Sequence, residues 1–121
     1  MSVEVLVDEN GILAIEVSGK LSYEKFREMQ STMAQSIKRD GRIRVLTIAD
    51  GFDGWEKEGD WGNLTVQAQL DPFIDRMAIV GEKKWEDLVA LFTAKGLRQF
   101  PIEFFPLDEI QRANAWIREN A

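Results

Sequence analysis

Apolar residues change spacing along the chain, and each change marks an element. Val3 to Val7 alternates through Glu4 and Leu6, and after Glu9-Asn10-Gly11 a second run extends from Ile12 to Ser18. Asn-Gly between two such runs predicts a tight antiparallel hairpin, because both residues tolerate positive φ. Ser22 is placed to cap a helix in which Phe26, Met29, Met33 and Ile37 recur at helical spacing, with Asp40-Gly41 as its stop and Ser31 and Ser36 as solvated hydroxyls. Ile43 to Ala49 is almost continuously apolar, the signature of a parallel strand buried on much of both faces. Trp61, Leu64 and Ala68 predict a helix over 60–70 that ends at Asp71-Pro72, and Met77 to Val80 is the next strand. Trp85, Leu88, Val89 and Phe92 form another helical stripe, closed at Lys95-Gly96. Ile102 to Phe105 ends at Pro106, and Asp108 with Gln111 predicts a capping box for a last helix that buries Ile110, Ala113 and Ile117.

A hairpin followed by alternating helix and strand specifies an α/β layer fold with right-handed crossovers, and 121 residues suit one domain spanning 1–121. Glu4, Glu16, Arg44 and Glu103 interrupt otherwise apolar strands at alternate positions. Period-two geometry allows them one common sheet face, which predicts one face covered by helices and the other partly solvated or in contact with a second copy. Fraying at strand ends is the alternative source of such charges.

Charge and composition remove several classes of function. A net charge of −6 opposes a general nucleic-acid binder, since polyanion affinity depends on clustered Lys and Arg. The chain has no cysteine and no histidine, so disulfides, thiolate nucleophiles, imidazole bases and the commonest transition-metal ligands are all missing. Any catalysis would have to use carboxylates, lysines, the single Tyr23 or a bound cofactor; no catalytic constellation is recognisable, and no catalytic residue, metal site or cofactor is expected. No apolar run reaches the length of a membrane span and the amino terminus lacks signal-like features, so a cytoplasmic protein is expected.

The remaining chemistry gathers where strands end. The strand Ile43–Ala49 leads into Asp50 and Gly51-Phe52-Asp53-Gly54-Trp55, and the later strand runs into Gly81-Glu82-Lys83-Lys84-Trp85. In an open parallel sheet, ligands and partners meet the crevice beyond the carboxyl ends of strands. Asp50, Phe52, Trp55, Trp61, Gly81, Lys83, Lys84 and Trp85 are accordingly the candidate binding residues. The aromatics form either a pocket for an apolar ligand or partner, or a satellite core that holds the loops. Gly81 with Lys83 and Lys84 suits an anion at a helix start, or a solvated first turn. Asp50 and Asp53 suit turn formation better than phosphoryl or metal chemistry, and Asp8-Glu9 and Glu56 with Glu58 read as solvated faces.

Asp50, Phe52, Gly54-Trp55 and Trp61, then the run from Ile74 to Gly81 with Lys83-Lys84-Trp85, and finally Phe105-Pro106-Leu107, resemble the SpoIIAA-like family, which groups with STAS domains and is related to the CRAL-TRIO lipid-binding fold. The resemblance implies a mixed five-stranded sheet, its first strand antiparallel, with about four helices. It implies a non-catalytic regulatory or ligand-sensing module acting through protein contact or a small ligand at the strand-end loops, or else a carrier of a lipid or other apolar molecule; a homodimer is a further expectation. STAS antagonists of anti-sigma factors carry a phosphorylatable hydroxyl just after the Asp that matches Asp50. Gly51-Phe52-Asp53-Gly54 has none, so a kinase-driven switch cannot operate there.

Overall fold

The computed structural model describes residues 2–94 and 96–119. Strands β1 (Ser2–Glu9) and β2 (Ile12–Leu21) form the hairpin, with Asn10 and Gly11 at φ 53° and 77° as its tight turn demands. Helix α1 (Tyr23–Asp40) follows, then β3 (Ile43–Ala49), a short β4 (Phe52–Trp55) and α2 (Thr65–Leu70). The chain continues through β5 (Ile74–Gly81), α3 (Glu86–Phe92), β6 (Ile102–Pro106) and α4 (Ile110–Arg118). The sheet order is β1-β2-β3-β5-β6; β1 runs antiparallel to β2 and the other neighbours are parallel.

Alternation along the strands divides the core into two. Leu13, Ile15, Val45, Met77 and Ile79 face one way and meet Met29 and Met33 of α1, Leu70 of α2 and Val89 of α3. Ala14, Leu46, Ala78, Val80 and Phe105 face the other way, against Ala113 and Ile117 of α4. Ile117 is fully buried, and deleting a side chain of that size from a packed core costs about 2–5 kcal/mol.

Register puts the four strand charges on the α4 face: Glu4 lies opposite Glu16, Arg44 beside Arg76, and Glu103 beside Ala78. α4 packs on β3, β5 and β6, and exposed Glu4 and half-buried Glu16 mark the part beyond it. Arg44 Nη1 donates to the carbonyls of Ile117 (3.0 Å) and Glu119, and Arg76 Nη1 to that of Trp116 (2.7 Å), with its guanidinium 4.9 Å from the Trp116 ring centre. Two strand arginines thus satisfy the open carbonyls at the end of α4, where positive charge also complements the helix dipole.

Several predicted details change. The stretch read as a loop after Asp50 contains β4, because ten-residue β2 outruns β3 and its free distal edge pairs in parallel with Phe52 and Trp55. The helix predicted over 60–70 is confined to Thr65–Leu70: Asn63 Oδ1 accepts from Thr65 N at 3.1 Å, and Trp61 and Leu64 lie before the helix. Val66 and Leu70, rather than exposed Ala68, turn inward. Ser22 caps α1 by accepting from Lys25 N (3.1 Å), and Gly41 closes it by donating to Ile37 O (2.7 Å). Ser36 is buried, not solvated; its hydroxyl donates to Asp8 Oδ1 at 2.7 Å, which also takes Asp8 off the predicted solvated face. The Asp108–Gln111 capping box is replaced by a 3₁₀ turn over Leu107–Glu109, no side chain among the described residues caps the start of α4, and Ile110 stays exposed. Lys95, half of the predicted stop of α3, lies outside the described residues; α3 ends at Phe92, where Thr93 N donates to Val89 O.

Candidate functional site

β3 and β5 end side by side, with Ala49 paired to Gly81, so their two loops leave the sheet together. Gly19 N donates to Gly51 O (2.8 Å) and Glu56 N to Leu21 O (2.9 Å), which pins the first loop to the distal half of β2. Gly54, at φ 91°, lies against Trp85 of the second.

Rings fill the corner so formed. Phe52 stands edge-on to Trp55 (5.0 Å between ring centres) and to Trp85 (5.2 Å), and Trp55 packs on Phe92 at 4.8 Å. Phe92 meets Phe26 (5.5 Å) and Trp61 (5.6 Å), and Trp61 meets Tyr23 at 5.1 Å. Edge-to-face pairs at these separations add about 0.5–1.5 kcal/mol each beyond area burial, so the corner is firm. Trp61 Nε1 donates to Glu56 O at 2.9 Å. The indole N–H groups of Trp55 and Trp85 are buried with no acceptor among the described residues. Beneath the rings lies a cavity of about 80 Å³, lined by Val17, Leu21, Met29, Phe52, Trp55 and Phe92 among others. The hollow presents only apolar surface, and Trp85 stands outside it, so the two indole N–H groups belong to the packing of the corner and do not open into the cavity.

Of the residues singled out from sequence, Phe52, Trp55, Trp61 and Trp85 converge. Gly81 is buried in the sheet, where an added Cβ would stand 3.5 Å from that of Ala49 and 3.6 Å from the Phe104 ring. Asp50 is exposed at the turn, as is Asp53. Lys83 and Lys84 are exposed too; Lys84 Nζ lies 3.6 Å from Glu82 and 5.6 Å from the Trp85 ring centre. Among the described residues no three acidic side chains gather to hold a metal ion, and no helix is long and apolar enough to cross a membrane. Sequence reasoning missed Tyr23, Phe26 and Phe92 as members of the corner. Tyr23 and Phe26, three apart at the start of α1 and just after β2, were the available signal.

The model of the SpoIIAA-like family matches residues 12–118. No curated protein matches the chain. Among solved structures, it is similar to an uncharacterized protein of the DUF3478 family with a SpoIIAA-like fold from Shewanella loihica PV-4, at 19% identity over 95% of this chain and 93% of that one, with a TM-score of 0.71; that likeness establishes the fold. With a family match over most of its length, and a mixed sheet whose first pair is antiparallel flanked by four helices, the chain belongs to the SpoIIAA-like family.

Proposed function

We propose that the protein is a non-catalytic STAS-like module that recognises a protein segment or small ligand at the aromatic corner. The observation that carries this reading is the convergence of two strand-end loops on one ring cluster over an apolar hollow. Leu88 and Leu91 support a protein contact: three apart on α3, they are 48% and 78% exposed, and outward apolar side chains near a recognition corner commonly belong to an interface.

The carrier reading, in which a lipid or other apolar molecule is enclosed, needs a pocket of about 300 Å³ or more. The cavity under the rings, about 80 Å³, falls well below that, which favours contact over enclosure. Native mass spectrometry of protein purified from cells tests the choice. A bare chain mass under gentle conditions agrees with a contact module, whereas a persistent adduct of lipid size favours the carrier. A homodimer through the part of the sheet face beside Glu4 and Glu16, or through the hairpin edge, belongs to the same proposal. A monomeric mass by light scattering at high concentration would refute it.

A further inference from the structure

We infer that the opposite end of the sheet binds a small multivalent phosphate-type oxyanion in an arginine-lined cleft. The cleft measures about 390 Å³ and is built by four separated segments: the hairpin turn at Asn10 and Gly11, the start of β3 with Arg42 and Arg44, Asp75 of β5, and Arg118 at the end of α4. Three guanidinium groups and the Asp75 carboxylate line it; Asp40, which accepts from Gly11 N at 3.0 Å, stands at its rim but is paired with Arg39, so the cleft keeps an excess of positive charge in a chain of net charge −6.

Each guanidinium is held by one side and leaves the other available. Arg42 Nε donates to Asp75 Oδ1 at 2.6 Å. Arg44 uses Nη1 on the last carbonyls of α4, and Arg118 uses Nε on Asn114 Oδ1 at 3.0 Å. A guanidinium has five N–H donors, so both terminal nitrogens of Arg42 and Arg118 and the second terminal nitrogen of Arg44 have no acceptor among the described residues. Fixed planar forks match the oxygens of phosphate, and several forks around one cleft match an anion with several oxygens. Cleft volumes of about 300–1,000 Å³ are those that take small ligands. The net negative charge of the chain repels an extended polyanion, so the occupant is a small free anion and not nucleic acid.

Titration with pyrophosphate, followed by backbone amide NMR, tests the assignment. Saturable shifts are expected at Gly11, Ile12, Arg42, Arg44 and Arg118, with the Trp55 and Trp85 amides still. Arg42→Gln and Arg118→Gln each weaken binding at least about tenfold, while Lys25→Gln, on the exposed side of α1, changes it less than about twofold. Arg118 bonds only to Asn114 of its own helix in the described contacts, so its variant keeps the test decisive should Arg42→Gln disturb the fold. The proposal is overturned by an absence of saturable shifts up to about 10 mM pyrophosphate, by shifts spread evenly over all surface lysines, by unchanged affinity in Arg118→Gln, or by a tricarboxylate binding equally well.

Discussion

A Cβ added to Gly54 would stand 3.4 Å from Cη2 of Trp85, so the two loops touch at a point where one partner has no side chain. Contact at that distance is tolerable; the obstacle is φ 91°, which an L side chain adopts at a cost of about 1–2 kcal/mol. Gly54→Ala is therefore expected to lower unfolding free energy by about that amount in urea titration and to alter tryptophan fluorescence. An unchanged midpoint would mean that the loop is not held in this conformation.

The three tryptophans of the corner should separate by their N–H groups. Trp61→Phe removes a donor bonded to Glu56 O and is expected to cost about 1–2 kcal/mol, bond and packing together. Trp55→Phe and Trp85→Phe remove buried donors that have no acceptor among the described residues, so relief of that penalty offsets lost packing and each costs less than Trp61→Phe. Chemical denaturation of the three variants side by side reads the order directly, and the reverse order would reject this account.

Asp71, at the end of α2, holds Arg98 through two hydrogen bonds of 2.7 Å, and the two side chains are each 10% exposed. Arg98 also donates to Thr93 O, so one guanidinium ties α2 to the segment after α3. Arg98→Met leaves a buried carboxylate unpaired and is expected to cost about 3–5 kcal/mol, much of it recovered in the double variant with Asp71→Leu. A double-mutant cycle with no coupling would show the pair to be energetically idle.

Acid should weaken the attachment of α1 to the hairpin. Hydrogen bonds from Arg39, and then from the Gly11 N–H, bring Asp40 down from its ordinary 3.8 to about 2; Arg39 and Ser36 likewise lower Asp8. A carboxylate whose folded pKa lies below its unfolded value stabilises the fold above the unfolded value and loses that contribution as pH falls through the folded one. Thermal midpoints are thus expected to drop between about pH 4 and pH 2, and Asp40→Asn to lower the neutral midpoint while flattening the drop. An equal slope in wild type and variant would exclude Asp40 as a source.

Most of the layer order was legible because local signals agreed with the tertiary arrangement: Asn10-Gly11, Ser22 and the run Ile43–Ala49 act through their own backbone or short-range partners. The face shared by Glu4, Glu16, Arg44 and Glu103 followed from period two alone. What escaped depended on distant partners. Ser36 can be buried because Asp8, twenty-eight residues away, accepts a hydrogen bond from its hydroxyl. β4 exists because β2 overhangs β3, and no local pattern announces an overhang. Trp61 looked helical beside Leu64 and Ala68, yet its indole is drawn to Glu56 and the rings of Tyr23 and Phe26. Convergence of the strand-end aromatics was inferable from topology and Phe26 left a signal in its spacing from Tyr23, whereas the recruitment of Phe92 from its helix stripe required three dimensions.

Strand β2 begins beside the guanidinium-lined hollow at Ile12 and ends beside the rings at Leu21. At about 3.3 Å per residue, its ten residues make a ruler of about 30 Å. The molecule therefore carries an ionic pole and a greasy one about a strand's length apart, and a change made at one leaves the side chains of the other untouched.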